Sequence, residues 1–214
     1  MDFNDYSYLW PPRPDNKIAQ GMLNFYEKQG FWAQAKRNGT CTVIFAKGKQ
    51  VIFKTRHNDG HKKWSPTPEH VQFFRGHSDW NVYVAELLHS KTPHIKNQLF
   101  IFDKIVADGK QLVGTTLAER QELLTNEWEP ILDEPLQTRV HDNVSIAKNF
   151  KGDFVTLFNQ MAAEKKVKDE LGENYENEGL VLKNPKAVLS PCFKQDSNNK
   201  WQVKCRLPHK NYSF

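Results

Sequence analysis

The run Val82-Tyr83-Val84-Ala85-Glu86-Leu87-Leu88 is apolar apart from one carboxylate. Its composition predicts a strand. A carboxylate inside such a strand must be paired or bind a metal, because an isolated buried charge is too costly to keep. The same construction recurs along the chain. Gln50-Val51-Ile52-Phe53-Lys54-Thr55 reads as a strand that delivers Arg56 to its end. Glu178-Gly179-Leu180-Val181-Leu182-Lys183 is a strand flanked by charges, and Trp201 to Arg206 alternates Trp201/Val203/Cys205 against Gln202/Lys204/Arg206. With Lys36, seven charged residues therefore lie in or beside predicted strands.

Lys36 sits in Gln34-Ala35-Lys36-Arg37-Asn38-Gly39-Thr40, between Phe31-Trp32-Ala33 and the strand-like Cys41-Thr42-Val43-Ile44-Phe45. The pattern predicts a lysine just before a strand, then a glycine that lets the backbone come close to a ligand. A lysine attacks an electrophile only as the neutral amine, which calls for neighbouring cations or a poor dielectric. Arg37 is the adjacent cation in sequence. A lone K-x-x-G equally describes a surface lysine in a turn, so the weight falls on the whole set. An amine nucleophile, cations and two carboxylates form the inventory for attack on a nucleoside triphosphate. Carboxylates hold a divalent metal against the phosphates. Cations neutralise the α-phosphate and the departing pyrophosphate. An aromatic such as Phe102 stacks on a purine.

Other elements follow from pattern. Trp10-Pro11-Pro12-Arg13-Pro14 is extended, an arm packed along the domain or docked on a partner. Residues 17–28 read as a short amphipathic helix closed by Gly30, and residues 68–76 as a second helix. Two strands around Lys47-Gly48-Lys49 make a hairpin between Phe31 and Thr55. His57-Asn58-Asp59-Gly60-His61 is a solvated turn rather than a metal site, since no third ligand stands at useful spacing. Gln98 to Val106 is a strand, Thr116-Leu117-Ala118-Glu119 a capping box that opens a helix through Leu124. A strand is expected within 140–147, a helix over 152–171 and a turn at Ser197-Asn198-Asn199. Short turns beside helices favour α+β architecture with antiparallel sheets packed together around a nucleotide cleft.

The 214 residues suit a single domain over 1–214. Three cysteines without paired spacing fit a reducing cytosol. No apolar run is long enough to span a membrane, and the acidic, polar N-terminus does not look like a signal peptide. The net charge of +5 favours a polyanionic partner.

In this order and spacing, the motifs closely resemble the covalent nucleotidyltransferase superfamily of ATP-dependent polynucleotide ligases and mRNA-capping enzymes, from about Trp32 to Arg206. Lys36-Arg37-Asn38-Gly39 resembles the family's nucleotidylated K-x-D-G. Lys54-Thr55-Arg56-His57-Asn58 resembles S-R-x-G, Glu86 the metal-linked glutamate, and Phe102-Asp103 the F-D element that stacks on the base. Glu178 to Lys183 is E-G-x-x-x-K, and Lys204-Cys205-Arg206 resembles the K-x-K that holds the α-phosphate. The resemblance implies a DNA ligase-like adenylation (nucleotidyltransferase) fold, described as ATP-grasp-like. It implies ATP and Mg2+ as cofactors and Lys36 as the catalytic nucleophile. Gln34, Ala35, Arg56, Glu86, Phe102, Lys183, Lys204 and Arg206 would bind nucleotide, and Glu86 and Glu178 the metal. Departures are Asn38 for aspartate, Gln34 where DNA ligases often carry a glutamate that reads the adenine amino group, and Cys41 where arginine is common. Trp201 is one residue further from Lys204 than usual, and Glu86 lacks its preceding glycine.

The implied activity is nick sealing in DNA repair or replication by a monomer, either a minimal ligase or the catalytic domain of a longer protein, on nicked duplex with DNA favoured over RNA. The location would be the cytoplasm of a bacterial, viral or phage system, with no membrane. NAD-dependent ligases carry a nicotinamide module and zinc cysteines, which this sequence lacks. RNA ligase, capping guanylyltransferase and a non-catalytic nucleic-acid-binding protein are the alternatives. No C-terminal OB-fold is expected in the eight residues after Arg206. A basic face beside the cleft is expected from Lys62, Lys63, Arg75, Lys148 and Lys151.

Overall fold

The alternation that marks the last strand of the sequence also organises the molecule. In the computed structural model, which describes residues 8–193 and 198–208, twelve strands form two sheets flanked by four α-helices. The first sheet has four strands in the order β1-β12-β11-β2: β1 (Arg13–Ile18), β12 (Asn198–Arg206), β11 (Asn177–Lys183) and β2 (Trp32–Arg37). The second holds β3 (Thr40–Lys47), β4 (Gln50–Thr55), β5 (Asn81–Leu88), β6 (Gln98–Ala107), β7 (Lys110–Gln111), β8 (Leu132–Asp133), β9 (Gln137–His141) and β10 (Val144–Ala147). Its path is β4-β3-β5-β6-β10-β9-β8, with β7 paired to β6. The helices are α1 (Leu23–Lys28), α2 (Pro68–Phe73), α3 (Leu117–Thr125) and α4 (Phe154–Glu170). Among the described residues, no helix is long and apolar enough to cross a membrane.

Side chains alternate across a strand, so each strand of the first sheet divides its residues between two layers. Ala33, Ala35, Leu180, Leu182, Val203 and Cys205 join Leu23 of α1 and Phe154, Leu157, Phe158 and Met161 of α4 in one apolar cluster. The opposite set, Gln34, Lys36, Val181, Lys183, Gln202, Lys204 and Arg206, lines a cavity instead. The second sheet is covered on both faces. Ile44, Ala46, Tyr83, Ala85 and Leu87 face one cluster, while Val43, Phe45, Val82 and Val84 face another with Leu9 and Trp80.

Local signals hold at several helix ends. Thr116 and Glu119 form the predicted capping box, with Glu119 Oε2 accepting from the Thr116 N–H at 2.7 Å. Thr67 and His70 build a similar box at α2, whose first residue is Pro68. Arg120 of α3 is fully buried and forms a two-pronged pair with Asp103 of β6, at 2.9 and 3.2 Å. Removing one partner of a buried pair strands the other charge. Arg120→Met should therefore lower the unfolding free energy by about 3 kcal/mol, read from the shift of the urea midpoint. A variant that unfolds at the wild-type midpoint would show the pair to be dispensable.

The structure corrects several expectations. Lys36 lies within β2, not ahead of a strand, because Trp32 to Arg37 pairs in register with β11. The segment 31–55 therefore contains three strands. Lys17 and Ile18 belong to β1, and the helix expected from residue 17 is a 3-10 turn over Gln20–Met22 followed by α1. The single strand expected near 140–147 is the hairpin β9–β10, and the last helical residue before it is Thr125. The sheets are mixed rather than antiparallel throughout: β1 runs parallel to β12, and β10 parallel to β6. Both parallel pairs join segments distant in sequence, as parallel pairing requires long connections. Asn198 and Asn199 open β12 instead of turning, and Ser197 lies outside the described residues.

Candidate functional site

The polar face of the first sheet and the facing part of the second enclose a cavity of about 740 Å³. Nine cationic side chains line it, namely Arg13, Lys36, Arg56, Lys62, Lys63, Lys91, Lys183, Lys204 and Arg206, with part of Arg37, against the carboxylates of Asp59 and Glu86. That imbalance favours a polyanionic occupant. Gln34, Ala35 and Phe102 line the same space, so every sequence-predicted nucleotide-binding residue reaches the cavity. Glu178 is not among the lining residues, but it forms an ion pair with the Lys36 amine.

Two bulges aim the chemistry. Between Asn177 and Gly179, β11 advances two residues while β2 advances one, which leaves Glu178 as the extra residue. A bulge turns a side chain out of the regular alternation, and Glu178 here meets Lys36 and lies 3.6 Å from Arg206. Between Ala85 and Val84 of β5, β6 steps from Ile101 to Asp103, leaving Phe102 unpaired in the ladder. The freed Phe102 carbonyl accepts from Gln121 Nε2 at 3.0 Å and from Lys183 Nζ at 3.3 Å. The Lys183 amine also stands 4.9 Å from the centre of the Phe102 ring.

Gln34 is buried, and its Nε2 donates to Gln121 Oε1 at 3.0 Å and Asn149 Oδ1 at 2.9 Å. Asn149 Nδ2 donates to the same Gln121 oxygen at 3.0 Å. Both amide hydrogens of Gln34 are thus engaged, and its carbonyl oxygen is the group left for a ligand in the cavity. Sequence reading found Gln34 but not Gln121 and Asn149. Their interest comes only from being folded against it.

Arg37, next to the nucleophile candidate, points to the other side of β2. It is buried under the Phe100 ring at 4.7 Å and donates to Asn177 Oδ1 at 2.7 Å and Gln137 Oε1 at 2.8 Å. The strand alternation that sends Lys36 one way sends Arg37 the other. Gly39 does allow a close approach, and the approach seen is to β5. A Cβ there would lie 2.5 Å from the Leu87 carbonyl oxygen and 2.7 Å from Glu86 Cγ. The Gly39 N–H donates to Glu86 Oε1 at 3.0 Å, and Lys91 Nζ donates to the Gly39 carbonyl at 2.6 Å.

Burial raises the Glu86 carboxyl to a pKa of about 7. Lys36, Lys91 and the Gly39 N–H oppose the rise, and Glu178 adds to it. Burial and Glu86 push the Cys41 thiol up to about 12, so it stays a neutral thiol. Burial lowers Lys204, assisted by Arg206, Arg13, Lys17 and Lys36. Lys204 donates to the Pro14 carbonyl at 3.3 Å. Burial also lowers Lys183 to about 8, with Arg120 assisting and Asp103 opposing.

The Lys183 shift has a stability consequence. The folded protein binds fewer protons than the unfolded chain between pH 8 and the ordinary lysine value of 10.5, so stability should rise with pH across that window. Below it the full cost of burying the ammonium applies. Lys183→Met should gain about 2 kcal/mol at pH 7 and flatten the rise, measured by urea unfolding at pH 7 and pH 10. No gain at pH 7 would contradict the burial cost.

Among the described residues, no group of three or more His, Cys, Asp or Glu side chains gathers as a metal cage. Magnesium is commonly bound by one or two carboxylates, water and substrate phosphates. Glu86 and Glu178, both close to Lys36, fit that donor set. Of the predicted basic face, Lys62 and Lys63 line the cavity. Arg75 donates to Gln72, Lys148 pairs with Asp133 at 2.7 Å and Lys151 covers the Trp32 ring at 5.0 Å, all away from the cavity lining. His61, expected in a solvated loop, packs on Trp64 and contacts Thr42 Oγ1 at 3.3 Å.

No protein-family model matches the sequence, and no curated protein matches it. Solved structures do share the fold. The ligase domain from M. tuberculosis LigD superposes with a TM-score of 0.61 at 16% identity, covering 96% of this chain and 61% of that one. Mycobacterial DNA ligase D complexed with ATP and MES gives 0.57 at 16% identity, covering 96% and 62%. A chain described as Pmar-Lig_Pre gives 0.57 at 13% identity, covering 95% and 48%. The fold is that of DNA ligase domains. This chain spans about three fifths of the length of the two mycobacterial structures.

Proposed function

We propose that the chain is the adenylation domain of an ATP-dependent DNA ligase, which seals nicks through a lysyl-AMP intermediate. The carrying observation is the Lys36 amine, paired with Glu178 in a cation-lined cavity that also holds Phe102 and Gln34. The adenine lies against Phe102, and its amino group donates to the Gln34 carbonyl oxygen. Ala35 and Lys183 complete the base end, and Arg56 contacts the nucleoside. Lys36 Nζ attacks the α-phosphorus. A P–N bond forms, the bond from the α-phosphorus to the bridging oxygen breaks, and pyrophosphate leaves. Glu178, already in contact with the amine, is placed to take its proton. Lys204 and Arg206 neutralise the α-phosphate oxygens.

An oxygen of a nick 5′-phosphate then attacks the same phosphorus, breaking the P–N bond and returning the amine. A 3′-hydroxyl finally attacks the 5′-phosphorus, displaces AMP and closes the backbone. Glu86 and Glu178 would hold Mg2+ against the phosphates, where it would neutralise charge on the leaving group. Lys62 and Lys63 at the cavity would contact nucleic-acid phosphates without regard to sequence.

Incubating the protein with α-labelled ATP and Mg2+ and running a denaturing gel should give a labelled band at 25.0 kDa. Absence of that band would leave the fold as a binding scaffold. Nicked DNA should then be sealed in preference to nicked RNA, and duplex binding should weaken steeply with salt. Preference for RNA would transfer the activity to RNA ligation.

A further inference from the structure

The first sheet does not stop at the K-x-K strand. Moving outward from Lys36 on β2, the order is β11, then β12 with Lys204 and Arg206, then β1. Strand β1 adds Arg13 and Pro14 to the cavity wall, and the segment just before it adds Pro11 and Pro12. We propose that Arg13 is a phosphate-contacting residue that binds the β- and γ-phosphates of the nucleoside triphosphate and the pyrophosphate formed from them. The proposal rests on the lysyl-AMP reading for its substrate.

Three observations support it. The first is position. Lys36 and Lys204 project from the same face of the sheet, and both line the cavity. A polyphosphate whose α-phosphate lies between them and extends outward next meets β1, one strand spacing beyond β12, or about 4.8 Å. Lys17 stands opposite Lys204 there, and Arg13, opposite Asn198, reaches the cavity from the start of β1. Charge is consistent with this order. Arg13 and Lys17 of β1 both act on Lys204, with Lys17 directly opposite it in the register, and neither forms an ion pair among the described residues. A guanidinium lining a cavity without a carboxylate partner suits a phosphate, which it can engage through two N–H groups at once.

The third is rigidity. Pro12 and Pro14 flank Arg13. Each proline fixes its own φ, and Pro14 confines Arg13 to extended backbone. The Arg13 carbonyl accepts from Asn199 Nδ2 at 3.0 Å, and the Pro14 carbonyl accepts from Lys204 Nζ at 3.3 Å. The strap is held upstream by buried Leu9 and by the Trp10 N–H, which donates to the Cys192 carbonyl at 2.8 Å. The root of the Arg13 side chain is therefore set before a ligand arrives, which limits the ordering cost of binding.

The test uses inorganic tripolyphosphate and AMP as separate probes, measured by titration calorimetry on the whole chain. Arg13→Ala should weaken tripolyphosphate binding at least about tenfold and leave AMP within about twofold, while Arg13→Lys should restore part of the loss. In the labelling reaction, Arg13→Ala should raise the KM for ATP by about the same factor. Unchanged tripolyphosphate affinity would overturn the proposal. So would equal losses for AMP and tripolyphosphate, in both variants, because these indicate a disturbed strap. If wild type binds tripolyphosphate through Arg13 but forms no protein–AMP adduct, the ligase reading fails and the polyphosphate site stands. Normal labelling with an indifferent Arg13→Ala variant gives the reverse.

Discussion

Lys36→Ala should abolish the covalent protein–AMP adduct, lowering its rate of formation by at least about four orders of magnitude, because no other side chain supplies the bond. ATP affinity should change much less, since Gln34, Phe102, Lys183, Lys204 and Arg206 all remain on the cavity wall. The two quantities separate the nucleophile from the binding surface. Labelled ATP with a denaturing gel reads the first, and equilibrium titration the second. Joining of a pre-adenylylated nick should survive at least in part, because that step needs no new lysyl-AMP. Lys204→Ala should impair both steps, because phosphate charge develops in each. An acid-labile AMP adduct on the Lys36→Ala protein would show that another residue is the nucleophile.

Which charged residues share the cavity was more legible in the sequence than the strand pairing that brings them there. Period-two alternation in Trp201 to Arg206 separates Lys204 and Arg206 from Val203 and Cys205, and the structure puts the two sets in the cavity and the core. The same rule applied to β2 assigns Lys36 and Arg37 to opposite sides, as found. The sequence reading placed Lys36 just ahead of a strand because Gln34-Ala35-Lys36-Arg37 has no apolar alternation of its own. Its strand character comes from pairing with β11, some 140 residues later in the chain. Arg13 was hidden for a related reason. A proline-rich arm reads as extended, but nothing local says that it lies parallel to the last strand or that its arginine joins the cavity. Helix caps were found where two side chains and a local backbone suffice, as at Thr116 and Glu119. The bulges at Glu178 and Phe102 depend on register against another strand, and Gly179 is the one local trace of the first.

That glycine carries the second large effect. Gly179 has φ +130°, and a Cβ there would lie 2.1 Å from the Cys205 carbonyl oxygen and 2.9 Å from Arg206 Cα. Both obstacles are backbone of β12, so no rotamer change relieves them. Gly179→Ala must either force an L-residue into a conformation it rarely adopts or separate β11 from β12. Strain, overpacking and lost ladder hydrogen bonds together should cost about 5 kcal/mol or more. The same substitution removes the bulge that turns Glu178 toward Lys36 and shifts Arg206 on the neighbouring strand. Any Gly179→Ala protein that remains folded should therefore bind AMP weakly and label poorly with ATP. Urea unfolding beside a labelling assay decides the matter. Wild-type stability would mean that β12 can give way at Cys205. A stable protein with undiminished labelling would show that the Glu178 bulge is not what positions the Lys36 amine.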